Sequence, residues 1–239
     1  MRHGIIRRRG CVLGLLLATV LLACELETDL CGNPIEGSSV FTTCLGSEVD
    51  KVAALSPSFR KHLPQLEKDG WKIEYWNALG SVVEKENKRI AISSSVKGDV
   101  VSSLQTLAHE VGHALYSEHA PDYRTRAAYI SSMLAHEGAA TLYNIQVQRE
   151  ILANNGLDIH IVASAENHGR YHEIYDRLLG GALSEEGARR EIGEVFRHGE
   201  YVSISGGAQT YEQYFGEWYD KHGEQLKRNG TKKLVQPLR

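Results

Sequence analysis

Two histidines four residues apart, with a glutamate directly after the first, mark the stretch SSLQTLAHEVGHALYSEH as His109, Glu110 and His113. On a helix that advances about 100° per residue these two positions project from one face, so both imidazoles can reach a single cation. Glu110 then points beside the ion, where its carboxylate can take a proton from a water that the cation polarises. Hydrolysis is the chemistry that these residue types in this order suggest. Counted from Leu107, the residues Leu104, Ala108, Val111 and Leu115 span roughly 0° to 100° of the helical wheel, while the histidines lie near about 200° and 240°. The helix is expected to pack with one face and present its histidines on another.

Such a helix needs elements to hold it. From Glu48 to Asp69 the pattern is helical, with Ser56 and Pro57 placed as the N-cap and first-turn residue of a second short helix that ends at Gly70. The segments WKIEYWN and GSVVEKENKRIAISS alternate apolar and polar residues on either side of a polar turn around Glu86 and Asn87, which predicts a small antiparallel sheet. After Gly98 and Asp99 the period switches to 3.6, with Val100, Leu104, Leu107, Val111 and Leu115 on one stripe. A long helix is expected from about Thr125 to Leu152. Residues 166–239 read as further helices separated by glycine-rich turns, clearest in GGALSEEGARREIGEVF and TYEQYFGEWYDKH.

The His109–Glu110–x–x–His113 pattern on a helix that follows a sheet resembles the zincin superfamily of metallopeptidases, over residues 71 to about 152. The resemblance implies an α+β fold in which a small sheet precedes the active-site helix and a mainly helical part follows. It also implies a Zn2+ ion held by His109 and His113, with Glu110 as general base. A catalytic zinc takes a third protein ligand and keeps one position for water, and two residues compete for that role. His119 has the metzincin spacing, six residues after His113, but Tyr116 stands where that branch carries a turn-permitting glycine. Nor does a later methionine turn suggest itself, because Met133 lies inside a helical pattern.

The rival is Glu137 in SMLAHEGAATLY, delivered by the next helix in a way that looks like the gluzincin branch. On a wheel centred at Glu137, Ile130, Leu134, Thr141 and Ile145 lie within about 80° on one side, and Met133 and Ala140 within about 60° on the other. A carboxylate buried between apolar flanks needs a partner, either a cation or an arginine such as Arg126. Gly138 and Ala140 are small enough for two helices to approach closely. His136 reads as a neighbour of the site or a surface residue. His168, His172, His198 and His222 read as solvated, while Tyr201, Tyr211 and Tyr214 are candidates to stabilise an oxyanion opposite the metal.

The first residues read differently. Arg7, Arg8 and Arg9 precede the apolar run CVLGLLLATVLLA, an export signal too short to be a comfortable spanning helix. It ends in Leu21-Leu22-Ala23-Cys24, which resembles the bacterial lipoprotein signal, so residues 1–23 are expected to be removed and Cys24 to carry the lipid. That resemblance implies a membrane-anchored domain in the bacterial cell envelope, facing the periplasm or the exterior. Residues 24–47 read as a tether, in which Cys31 and Cys44 are expected to form a disulfide in an oxidising compartment. Residues 48–239 are expected to form the zincin-like domain that the resemblance implies.

At 239 residues and 42% hydrophobic the chain can bury its own core. A net charge of −3 offers no basic surplus for a nucleic-acid partner. The expected partner is a protein or peptide substrate, with the peptide of the cell wall as one candidate. The competing class is a non-catalytic zincin-fold lipoprotein that acts as a binding or assembly factor; the intact Glu110 weighs against it.

Overall fold

The computed structural model describes residues 42–116, 119–154, 156–204 and 207–229. The leader 1–23, Cys24 and Cys31 lie outside the described residues. Cys44 is disulfide-bonded, and since every other cysteine precedes residue 42, its partner lies outside them too. Packing begins slightly ahead of the expected boundary at Glu48. Thr43 and Leu45 are already buried, and the Thr43 amide and hydroxyl both donate to Asp50 Oδ1 at 2.6 Å.

Two helices, α1 (Ser47–Ala53) and α2 (Pro57–Lys68), lead into strands β1 (Lys72–Trp76), β2 (Val82–Glu84) and β3 (Arg89–Ser93). Helices α3 (Val100–Leu115), α4 (Arg126–Ala153), α5 (His168–Leu179) and α6 (Glu185–Gly199) follow. The hairpin β4 (Tyr201–Ile204) and β5 (Gly207–Thr210) then runs directly into α7 (Tyr211–Asn229). Among the described residues this is an α+β chain of seven α-helices, one three-stranded sheet and one hairpin.

Local chemistry sets the helix starts. Ser56 Oγ accepts from the Phe59 amide with Pro57 in the first turn, Asp99 accepts from the Ser102 amide, and Thr125 from the Ala128 amide. Each side chain satisfies one of the donors that a helix N-terminus leaves free. Glu150 on α4 strengthens the first of these caps by accepting from Ser56 Oγ, Ser58 Oγ and the Ser58 amide at 2.6–2.8 Å.

The sheet departs from the expected antiparallel arrangement. Its order is β1-β3-β2, with β1 parallel to β3 and only β2 antiparallel. The reason lies in burial: Ile90, Ala91 and Ile92 of β3 are all fully buried, so this strand takes the centre, where both its faces are covered. The chain crosses from β1 to the far edge as β2 and returns through the polar turn into the middle. A second departure is the β4–β5 hairpin, which stands where only helices were expected; its register runs from Tyr201 opposite Thr210 to Ile204 opposite Gly207.

The core has two parts that share α4. Phe59, Leu63, Ile73, Ile90, Leu104, Leu107 and Val111 form one around the sheet, to which α4 adds Tyr143, Val147 and Ile151. The other joins Tyr129, Met133, Leu134 and Ile145 of α4 to Tyr171, Ile192, Phe196 and Phe215. With 28 residues, α4 runs about 42 Å and is apolar on opposite sides, as a helix buried between two layers must be. Close helix crossings depend on glycine. A Cβ at Gly112 of α3 would sit 2.6 Å from Ala140 Cα of α4, and one at Gly138 would collide with the backbone of Arg189 on α6.

Candidate metal centre

At the crossing of α3 and α4, His109, Glu110, His113 and Glu137 are all buried, none more than 6% exposed. His109 Nε2 lies 3.4 Å and His113 Nε2 3.7 Å from Glu137 Oε2. The two imidazole rings stand nearly perpendicular, at 85°, with centroids 4.8 Å apart. All three donor atoms lie within 4.8 Å of one another, and among the described residues this is the group that can hold a metal ion.

The separations carry information. Both exceed the roughly 2.7–3.2 Å of a good N–H···O hydrogen bond, so the carboxylate is not simply bonded to an imidazole. Ligands about 2.0–2.2 Å from a tetrahedral zinc stand roughly 3.3–3.5 Å apart, which matches the 3.4 Å of His109 and falls slightly short of the 3.7 Å of His113. Glu110 Oε2 is buried without a hydrogen-bond partner among the described residues, and Glu137 is paired there with the two imidazoles and with no arginine or lysine. Two buried carboxylates so placed are costly unless a cation compensates their charge.

Electrostatics agree with this geometry. Burial, and then the neighbouring Glu137, push the Glu110 carboxyl well above the ordinary carboxylate range. Burial, followed by the charges of His109, His136 and Lys85, holds the His113 imidazole well below its ordinary value. A divalent cation at the three donors favours an ionised Glu110 beside it.

The residues singled out from the pattern divide clearly. The apolar flanks of Glu137 are buried: Ile130, Met133, Leu134, Ala140, Thr141 and Ile145. Arg126, the alternative partner for Glu137, pairs instead with Asp220 at 3.1 Å. The His119 side chain is exposed and stacks on Tyr116 at 3.9 Å between centroids, away from the donor cluster. Tyr116 closes α3 at a φ of −90°, without the left-handed turn that would redirect the chain. Leu104, Leu107, Ala108 and Val111 of the expected packing stripe on α3 are buried, while at the two helix ends Val100 is only partly buried and Leu115 is 39% exposed. His136 is buried, donates from Nε2 to the His119 carbonyl at 2.7 Å, and is lowered to about 3, chiefly by burial.

Outside the cluster, His168 meets the Ala163 carbonyl, His172 meets Arg149, His198 lies near Glu212 and His222 packs on Trp218. Of the three candidate tyrosines, Tyr211 packs edge-on against Phe196, at 5.0 Å between centroids, and beside Phe215. Burial, then Glu137, Glu200 and Glu110, raise its hydroxyl well above the ordinary phenol range, so it stays protonated and able to donate. Tyr201 is exposed at the base of the hairpin. The hairpin is tied down by Glu200, whose buried carboxylate accepts from Ser164 N and Oγ, Asn167 Nδ2 and Tyr171 OH at 2.7–2.9 Å. Sequence reasoning missed Glu200, since nothing in its flanking residues distinguishes it from a surface charge.

Compared with known proteins, the chain matches no family model, no curated protein and no solved structure.

Proposed function

We propose that this chain is a zinc-dependent peptidase of the zincin type, with His109, His113 and Glu137 as metal ligands and Glu110 as general base. What supports the reading above all is the convergence of three buried donor atoms within 4.8 Å of one another, beside a buried carboxylate on the same helix turn. Two imidazoles and one carboxylate form a donor set suited to zinc. When bound, the ion supplies a Lewis acid that polarises a water and the scissile carbonyl. Glu110 takes the proton of the attacking water and passes it to the leaving nitrogen. Tyr211 donates a hydrogen bond to the developing oxyanion. His136, neutral and anchored on the His119 carbonyl, holds the end of α3 against α4 beside Glu137.

The substrate in this reading is a protein or peptide of the cell envelope, including the peptide of the cell wall. Lipid on Cys24 tethers the domain to the membrane; among the described residues no helix is long and apolar enough to cross one. The test is metal content together with cleavage of a peptide library by the purified protein. The expected results are about one zinc per chain, retention of zinc with an at least ~100-fold loss of cleavage in Glu110→Gln, and loss of zinc in Glu137→Ala. Stoichiometric zinc in Glu137→Ala, or full cleavage by Glu110→Gln, refutes the assignment.

A further inference from the structure

Between α4 and α5 the chain runs through residues 158–164, a segment outside every helix and sheet up to Ser164, and it is tied to both helices that carry the metal donors. Its inward side chains, Ile159 and Ile161, are fully buried. Gln105 on α3 donates from Nε2 to the Ile161 carbonyl at 2.8 Å. Asn144 on α4, itself fully buried, takes the same stretch from the other side: its Oδ1 accepts from the Val162 amide at 2.9 Å, and its Nδ2 donates to the His160 carbonyl at 3.4 Å. Gln148 Nε2 donates to Asp158 Oδ1 at 2.7 Å, and Glu200 holds Ser164 at the far end.

The anchors fall on the faces that carry the donors. Gln105 precedes His109 by one turn, about 40° from it around α3, and His113 continues the row. On α4, Glu137, Thr141, Asn144 and Gln148 lie within about 60° of one another, and all four are buried. This row of buried polar side chains starts at the metal donor and ends at the anchors of the segment. His160 stands at a φ of 55°, in the left-handed region, with its amide donating to Asp158 Oδ1 at 2.8 Å. A non-glycine residue keeps such a conformation where its surroundings fix it. The segment therefore bridges α3 and α4 along a determined path, on the side where the donors converge.

We propose that Asn144 is a positioning residue of the metal centre, an inference that rests on the donor set of the reading above. Through residues 158–162 it couples α4 to Gln105 of α3, and so sets the separation of Glu137 from His109 and His113. It touches neither the ion nor a substrate. Such a tie matters because the carboxylate and the imidazoles stand on different helices, while a metal site requires its ligands within about 0.5 Å of their working geometry.

The experiment reads three quantities in the full chain: zinc affinity by competition with a chelator, the absorption spectrum of the cobalt-loaded protein, and Tm. Asn144→Leu fills the space but makes neither hydrogen bond. Zinc affinity should fall about 10- to 100-fold, and the cobalt bands should shift as the ligand geometry changes. Gln105→Met, on the other helix, should act in the same direction. The double variant should lose less than the product of the two single losses, because both act through one segment. Glu150→Ala, which weakens the cap of α2, is the control: its Tm should fall while zinc affinity and cobalt spectrum stay at wild-type values.

Wild-type affinity and spectrum in either Asn144→Leu or Gln105→Met overturn the proposal, whatever happens to Tm. Fully additive losses overturn it too, and so does a Glu150→Ala that lowers zinc affinity as much, since any loss of stability would then suffice. Should Asn144→Leu fail to fold, Gln105→Met against Glu150→Ala decides by the same criteria. A wild type that binds neither zinc nor cobalt sinks the metal centre and this inference with it. One that binds both yet cleaves no peptide sinks the peptidase and leaves the role of Asn144 to stand on the affinities.

Discussion

Gly112→Ala tests whether the α3–α4 contact sets the metal centre. The added methyl would lie 2.6 Å from Ala140 Cα and 3.0 Å from both Ala140 O and Tyr143 Cβ, none of which belongs to a flexible side-chain end. Carbon atoms in ordinary contact stand roughly 3.5–4.0 Å apart, so the helices must part by about 1 Å. Overpacking of this kind costs about 1–3 kcal/mol, and the better helix propensity of alanine offsets up to about 1 kcal/mol. The expected net loss is about 1–2 kcal/mol, a fall in Tm of about 2–8 °C for a chain of this size.

The same movement carries Glu137, one turn before Ala140, away from His109 and His113, whose separations from it are 3.4 and 3.7 Å. Zinc affinity should fall about 10- to 100-fold, as it does when the support of a ligand is disturbed. Thermal unfolding and competition with a chelator read the two effects. Gly169→Ala is the control: nothing lies within 4 Å of its added methyl on α5, so it should stabilise slightly or be neutral. A Gly112→Ala protein with wild-type Tm and wild-type zinc affinity would refute the reasoning.

Acid should destabilise the protein through its buried imidazoles. The His136 side chain, lowered to about 3 in the folded chain against 6.5 unfolded, leaves stability intact above pH 6.5 and withdraws it as pH falls, because only the unfolded chain takes up the proton. At pH 5 this amounts to about 2 kcal/mol, to be read from denaturant titrations at pH 7 and pH 5; an unchanged pH dependence in His136→Gln would contradict it. In the metal-free protein His113 adds a loss in the same direction. Glu150→Ala leaves Ser56 Oγ, Ser58 Oγ and the Ser58 amide without their shared acceptor, and the expected cost is about 2–3 kcal/mol. Although burial opposes ionisation of Glu150, the hydrogen bonds from Ser56, Ser58 and Gln146 outweigh it, so the wild-type carboxyl titrates below its ordinary value. A loss under about 0.5 kcal/mol in Glu150→Ala would show that water replaces the acceptor.

What could be known from the sequence by itself was local. The four-residue spacing of His109 and His113, the cap at Ser56, and the flanking of Glu137 by apolar residues on both sides of its wheel follow from helix geometry, which acts over one or two turns. Because those rules are indifferent to the rest of the chain, these features stand in the structure where they were expected. The pairing of β1 with β3 was not legible: alternation sets which face a side chain takes, not which strand lies alongside, and the doubly buried Ile90-Ala91-Ile92 claimed the centre of the sheet.

The choice between His119 and Glu137 likewise depended on the path of the chain after Tyr116, which leaves His119 exposed and brings α4 across α3 through Gly112 and Ala140. Leu115 belongs to the packing stripe by its period yet is 39% exposed, because burial at a helix end is decided by what lies opposite it. Only tertiary packing, which brings together residues remote in the chain, decides which side chains lie opposite one another.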